Sequence, residues 1–334
     1  MTKQASYTSS SKLKFIKKVN LFVLLTFFLI LFSFEFYNPL AKTRSNTTEQ
    51  FQNNFIPELP QTIEVKYNNI NYLGEDFADT ITRNKIIFLG SSTTQSFYVP
   101  NNYKWTTFAM QDFNFWYNNC GVDGLKIKNL TTQIQKTKFI NPSYTIILFD
   151  PFNNNDLIVT EDLTPNIKNF VKEINIFKSV IIPFIRSKEN SNIGHRKINW
   201  EKEQKTLNNQ TDINRKPNTQ IKEKLNEINI TVKLNNSIPI FISAPTPYGN
   251  YTNKNGIDIS KIKNSISIDQ EYENFNNEMK KACENLNIYF IDGYSLQKNT
   301  DLFYDATHFN LDGSKQFGIL INKKLKSIIN KNIY

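Results

Sequence analysis

The chain has 334 residues, with 40 Lys plus Arg against 30 Asp plus Glu and a formal charge of +10. Its 39% apolar and 13% aromatic content excludes a disordered protein, and ten Gly with twelve Pro exclude a collagen-like or linker-dominated one. Two cysteines exclude a disulfide scaffold and a Cys-based zinc module, while the length suffices for one large domain or two small ones with a real core.

The charge is uneven. Residues 1–44 carry Lys3, Lys12, Lys14, Lys17, Lys18, Lys42 and Arg44 against Glu35, a net +6. Residues 186–233 carry a net +5, which leaves −1 for everything else. The excess therefore does not mark a folded basic surface, and a nucleic-acid partner is not expected.

The first element in chain order is an apolar run, Leu21 to Phe34, interrupted only by Thr26 and Ser33. With Val19, Phe36 and Tyr37, the segment 19–37 comes close to the ~20 residues that cross a bilayer as helix. Four lysines stand directly before it. This bias predicts a basic cytoplasmic head over 1–18, a signal anchor over 19–37 and the remainder periplasmic or extracellular. A cleaved signal peptide is the rival, but Asn38-Pro39-Leu40-Ala41-Lys42 offers no clean small-x-small site. The lipid bilayer is thus an expected partner through 19–37. Residues 38–84, polar and carrying Pro57 and Pro60, read as a stalk and lead-in.

Beyond it, short apolar runs alternate with helical stretches. Lys85–Leu89, Phe115–Asn118, Thr145–Phe149, Ile238–Ser243 and Ile288–Ile291 suit strands buried on both faces of a parallel sheet. Helices are expected near Trp105–Phe113, Lys126–Lys138, Thr164–Arg186, Asp269–Asn285 and Leu311–Asn330, with Asp269 and Asp312 as N-caps. The alternation predicts an α/β layered domain over 85–330, its reactive groups at the carboxyl ends of the strands. A lysine-rich stretch, 187–234, reads as a polar basic insertion.

Only two histidines, His195 and His308, can serve as general base. His195 has basic and polar neighbours, as in a solvated loop. His308 follows Asp305 by three residues, a spacing that lets the carboxylate turn back, fix the tautomer and leave the other ring nitrogen free. Taken alone, Asp-x-x-His is also an ordinary loop sequence. The strand Lys85–Leu89 runs into Gly90-Ser91-Ser92-Thr93-Thr94, which sets hydroxyls at the sheet edge. This is neither a P-loop nor a dinucleotide fingerprint, and Thr94 stands where the α/β-hydrolase elbow has Gly. Two more strand ends open into Asn119-Cys120-Gly121-Val122-Asp123-Gly124 and Asp150-Pro151-Phe152-Asn153-Asn154-Asn155-Asp156. They offer a Gly N–H and a side-chain amide, the donors an oxyanion hole needs.

Taken together and in order, Gly90–Thr94, Asn119–Gly124, Asn154-Asn155-Asp156 and Asp305–His308 resemble blocks I, II, III and V of the SGNH (GDSL-type) hydrolases. The resemblance implies a flavodoxin-like three-layer α/β/α sandwich with a mainly parallel sheet. It implies Ser92 as nucleophile, His308 as base oriented by Asp305, and Ser92, Gly124 and Asn155 as oxyanion donors, with no metal and no cofactor. Ser91 stands where block I usually has Asp, which leaves Ser91 as the alternative nucleophile, and Asn154 replaces a Gly of block III. With the anchor, the resemblance implies an esterase acting outside the cytoplasm on an acylated envelope glycan or a small ester. O-acyl transfer within a membrane-bound polysaccharide-modifying system is the alternative, and a non-catalytic glycan-binding subunit the second. Cys120 and Cys283 read as separate buried thiols.

Overall fold

The computed structural model describes residues 45–53, 56–151, 198–205 and 221–332. The expected anchor at 19–37 and the helix expected at Thr164–Arg186 lie outside these residues. Among those described, no helix is long and apolar enough to cross a membrane.

The lead-in does not behave as a stalk. Strand β1 (Thr48–Gln52) pairs antiparallel with β2 (Thr62–Lys66), whose residues alternate between exposed and buried. That period of two turns Ile63 and Val65 inward, where Ile56, Leu59, Tyr67, Val99 and Tyr304 close a small core around them. The polar residues that suggested a stalk are the outward half of this alternation. Strand β3 (Leu73–Gly74) then joins the edge of the main sheet.

Among the described residues that sheet has six strands. β4 (Lys85–Leu89), β5 (Trp116–Asn119), β6 (Tyr144–Phe149), β7 (Ile238–Ser243) and β8 (Tyr289–Ile291) are parallel and lie in the order β5-β4-β6-β7-β8. β3 runs antiparallel against β5. Numbered among the parallel strands alone, this is the 2-1-3-4-5 order of flavodoxin-like sheets, with its switch point between β4 and β6.

Both faces are covered. Ile86 and Phe88 of β4, with Ile146, Leu148, Ile240 and Ile242, pack under α2 (Trp105–Met110) and α7 (Leu311–Asn332). Ile87 and Leu89, with Ile147, Phe149 and Phe241, pack under α3 (Leu130–Lys136), α5 (Ile221–Leu234) and α6 (Ser265–Leu286). Adjacent residues of a strand thus enter opposite cores, which is why the strands read as unbroken apolar runs. A Cβ on Gly318 would lie 2.5 Å from Phe108 Cβ and from the Trp105 carbonyl oxygen, so its bare backbone lets α7 approach α2 closely.

Three expectations need correction. The supposed insertion at 187–234 ends in α5, whose Ile221, Leu225, Ile228 and Val232 are buried at helical spacing. The lysines and glutamates on its other face made a layer helix look like loop. Ser265 begins α6 four residues before Asp269, which lies inside the helix and holds Lys298 Nζ and the Tyr294 hydroxyl. At the start of α7 the cap is Asn310, whose Oδ1 accepts from Gly313 N at 2.9 Å, with Asp312 in the first turn.

Candidate active site

At the carboxyl end of β4 the chain turns sharply into α1 (Ser92–Gln95). Gly90 sits at φ +152°, and a Cβ there would collide with Thr94 Oγ1 and come within 2.9 Å of the Leu148 carbonyl oxygen. The turn therefore requires glycine. Ser91 is buried, and its carbonyl accepts from Thr94 N and Gln95 N. Ser92 is half-buried, and its Oγ stands 2.8 Å from His308 Nε2. The hydroxyl that meets the imidazole is thus that of Ser92.

His308 comes from a small hairpin closed by the Phe303–Phe309 bridge and the Tyr304 N to His308 O hydrogen bond. Asp305 organises it. Its carboxylate accepts from Thr307 N at 2.9 Å and His308 N at 2.7 Å, and lies 2.8 and 2.9 Å from His308 Nδ1. Nδ1 therefore carries the proton and Nε2 presents its lone pair to Ser92. The Tyr304 ring stacks under the imidazole with an interplanar angle of 11°. Burial by itself would raise the Asp305 pKa and lower that of His308, but the hydrogen bond and opposite charge between them outweigh it. Asp305 is held below the usual carboxylate value, and His308 above its ordinary one.

Beside this pair lies the loop after β5. Asn119 fastens it: Nδ2 donates to Thr94 O at 2.6 Å, and Oδ1 accepts from Gly121 N at 3.0 Å. A Cβ on Gly121 would sit 2.5 Å from Gln95 N, so this loop and α1 touch backbone to backbone. Val122 N bonds Gly90 O, and Asp123 N bonds Gln95 Oε1 at 3.0 Å. Gly124 follows at φ +69°, with nothing within 4 Å of where a Cβ would stand, so it faces open space. Asn155, the third expected donor, lies outside the described residues, as does His195.

Sequence reasoning missed several residues that build this site. Asp150, at the end of β6, is buried, accepts from Thr93 Oγ1 and the Tyr272 hydroxyl at 3.1 Å each, and is among the charges that favour protonated His308. Tyr304 and Thr307 gave a weak signal as neighbours of Asp305. Gln95 and Lys104 gave none. Cys120 and Cys283 are free and buried, and burial pushes both thiols up, Cys283 to about 12, so neither is poised as a nucleophile. Among the described residues no group of three or more His, Cys, Asp or Glu is placed to hold a metal ion.

No family model matches the chain, and no curated protein does. Among solved structures, a lipolytic protein of the G-D-S-L family from Desulfitobacterium hafniense is similar at 13% identity and TM-score 0.41, covering 72% of this chain and 99% of its own. An acylhydrolase from Bacteroides fragilis is similar at 14% identity and TM-score 0.40, covering 75% and 88%. A catalytic mutant of the acetylxylan esterase Axe2 from Geobacillus stearothermophilus is similar at 12% identity and TM-score 0.41, covering 72% and 94%. Likeness at that level does not decide an activity, which has to be read from Ser92, Asp305 and His308 themselves.

Proposed function

We propose that the chain is a serine esterase, anchored in the membrane through residues 19–37, that cleaves acyl esters of an envelope glycan outside the cytoplasm. The observation that carries the chemistry is the 2.8 Å contact between Ser92 Oγ and His308 Nε2, with Nδ1 held by Asp305. The location rests on the apolar run and the lysines before it.

In this mechanism His308 Nε2 takes the Ser92 proton as Oγ attacks the ester carbonyl. The imidazolium so formed is stabilised by Asp305, which remains a carboxylate. Negative charge on the tetrahedral oxygen is met by N–H groups at Ser92 and Gly124 and by the Asn155 amide. As the intermediate collapses, His308 returns its proton to the departing alcohol. Water, deprotonated by the same nitrogen, then releases the acid and restores Ser92.

The test is turnover of p-nitrophenyl acetate and of acetylated glycans by the full-length chain. Ser92→Ala is the control, and the products are identified. Free acetate is expected from wild type and none from the variant. Equal turnover by both would end the reading, and an acylated acceptor sugar in place of acetate would replace hydrolysis by transfer.

A further inference from the structure

A one-turn helix has a problem at its carboxyl end. Its last carbonyls have no intrahelical partners, and in α1 they are buried with the residues that carry them. Each is met by at least one side chain from beyond the turn. Thr93 O accepts from Ser96 Oγ at 2.9 Å and from Trp105 Nε1 at 3.0 Å, and Thr94 O accepts from Asn119. Ser96 O accepts from Val99 N at 3.0 Å, and the Lys104 ammonium joins Ser96 O to Gln95 O.

Lys104 is 1% exposed, which is rare for a lysine. Its Nζ donates to Gln95 O at 3.1 Å, Ser96 O at 2.5 Å and Val99 O at 2.7 Å. An ammonium has three donors, and these three carbonyls use them all. A neutral amine would have only two, so the geometry is built for the charged form. Burial works against that charge and brings the pKa down to about 7. The carbonyl dipoles at a helix carboxyl end work in its favour.

The grip reaches both halves of the proposed machinery. Ser96 stands in the left-handed region at φ 46°, and its N–H closes α1 onto Ser92 O at 2.8 Å. Holding Ser96 O therefore holds the far end of the turn on which Ser92 rides. Holding Gln95 O holds the residue whose side chain binds Asp123 N, next to Gly124.

We propose that Lys104 is a positioning residue, whose ammonium sets the Ser92 turn and, through Gln95, the Gly124 loop in mutual register for acyl transfer to Ser92. The proposal rests on the esterase reading above. Lys104 touches neither substrate nor reacting atoms, so it governs the rate of the chemical step rather than substrate binding.

The test compares kcat and KM for p-nitrophenyl acetate in the full-length wild type, Lys104→Met, Lys104→Gln and Ser92→Ala, with melting temperatures as a check on folding. Methionine keeps an unbranched side chain one atom shorter and removes all three donors. Misplacement of the turn by a fraction of an ångström should lower its kcat about ten-fold or more while KM stays within about two-fold. Labelling of Ser92 by a fluorophosphonate should slow in step. Lys104→Gln, which keeps two N–H donors, should fall between, and it stands as the test where Lys104→Met does not fold. Unchanged kcat in the folded variants, or a rise in KM alone, overturns the positioning role and leaves the esterase reading intact. A wild type no faster than Ser92→Ala overturns both.

Discussion

The two arms that meet at the 2.8 Å contact between Ser92 and His308 are built in opposite ways. The His308 arm is local: Asp305 accepts from Thr307 N, His308 N and His308 Nδ1, so one carboxylate shapes the hairpin and orients the base within three residues. The Ser92 arm is assembled from a distance. Its carbonyls are held by Lys104, Trp105 and Asn119, and its entry needs Gly90 to fit against Thr94 and Leu148. A locally wired arm fails by losing its chemistry, whereas a remotely wired arm fails by losing its shape.

The largest expected effects remove the chemistry of both arms alike. Ser92→Ala and His308→Ala should each lower kcat for p-nitrophenyl acetate by ~10⁴–10⁶-fold, with melting temperatures close to wild type. Combining them should cost little more than either alone, because the two groups act as a unit. An additive loss in the double variant would show that the arms work separately.

Next comes a variant confined to the local arm. Asp305→Asn preserves the volume but replaces the carboxylate that receives Nδ1–H, so the imidazole loses its orienting partner and the stabiliser of its charged form. A fall in kcat of ~10²–10⁴-fold is expected. A kcat within a few-fold of wild type would mean that Asp305 shapes the hairpin without serving the base.

The remote arm is tested by Asn119→Ala. It strips the partners from Thr94 O and Gly121 N, both in the packed region between α1 and the β5 loop. Leaving such groups unpaired should cost about 1–3 kcal/mol, read as a lower denaturation midpoint at unchanged slope. Turnover should fall along with stability, since Thr94 and Gly121 lie on the two segments that carry Ser92 and Gly124. Loss of stability with full kcat would show that the remote contacts hold the fold but not the site.

The same contrast governs what could be read from the sequence. Asp305 and His308 were legible because their interaction spans three positions, and Gly90–Ser92 because a buried strand ending in Gly and hydroxyls marks a turn at the sheet edge. The parallel sheet was legible because Ile86 to Leu89 feed opposite cores in alternation. Lys104 was not, because nothing local distinguishes a lysine that points inward to three carbonyls from one in water. Helix α5 and the β1–β2 pair were misread for a related reason. Each carries polar residues on one side only, and composition averages over a face that periodicity would have separated.

The smallest effect expected is a displacement along the pH axis, and it separates the two contributions to His308. The base works only as neutral imidazole. With its pKa held above the ordinary 6.5, kcat/KM of wild type should fall as the pH drops through a value above 6.5. Burial alone acts in the other direction, so removing the Asp305 charge should move this acid limb to lower pH even as Asp305→Asn lowers the rate itself. Stability runs the opposite way. The gain from His308 is complete below 6.5 and is lost as pH rises through its folded pKa, while the gain from Asp305 is present above 3.8 and is lost as pH falls through its own. The pair therefore contributes most to stability between about pH 4 and 6.5, where it contributes least to turnover. Lys104, with its pKa brought down to about 7, adds stability as the pH rises above 7 in both proteins, so the pair is read as the difference between wild type and Asp305→Asn, in which denaturation midpoints and kcat/KM from pH 4 to 9 should show this crossing. An acid limb left in place by that variant would assign the raised His308 pKa to the more distant charges of Asp150 and Asp123.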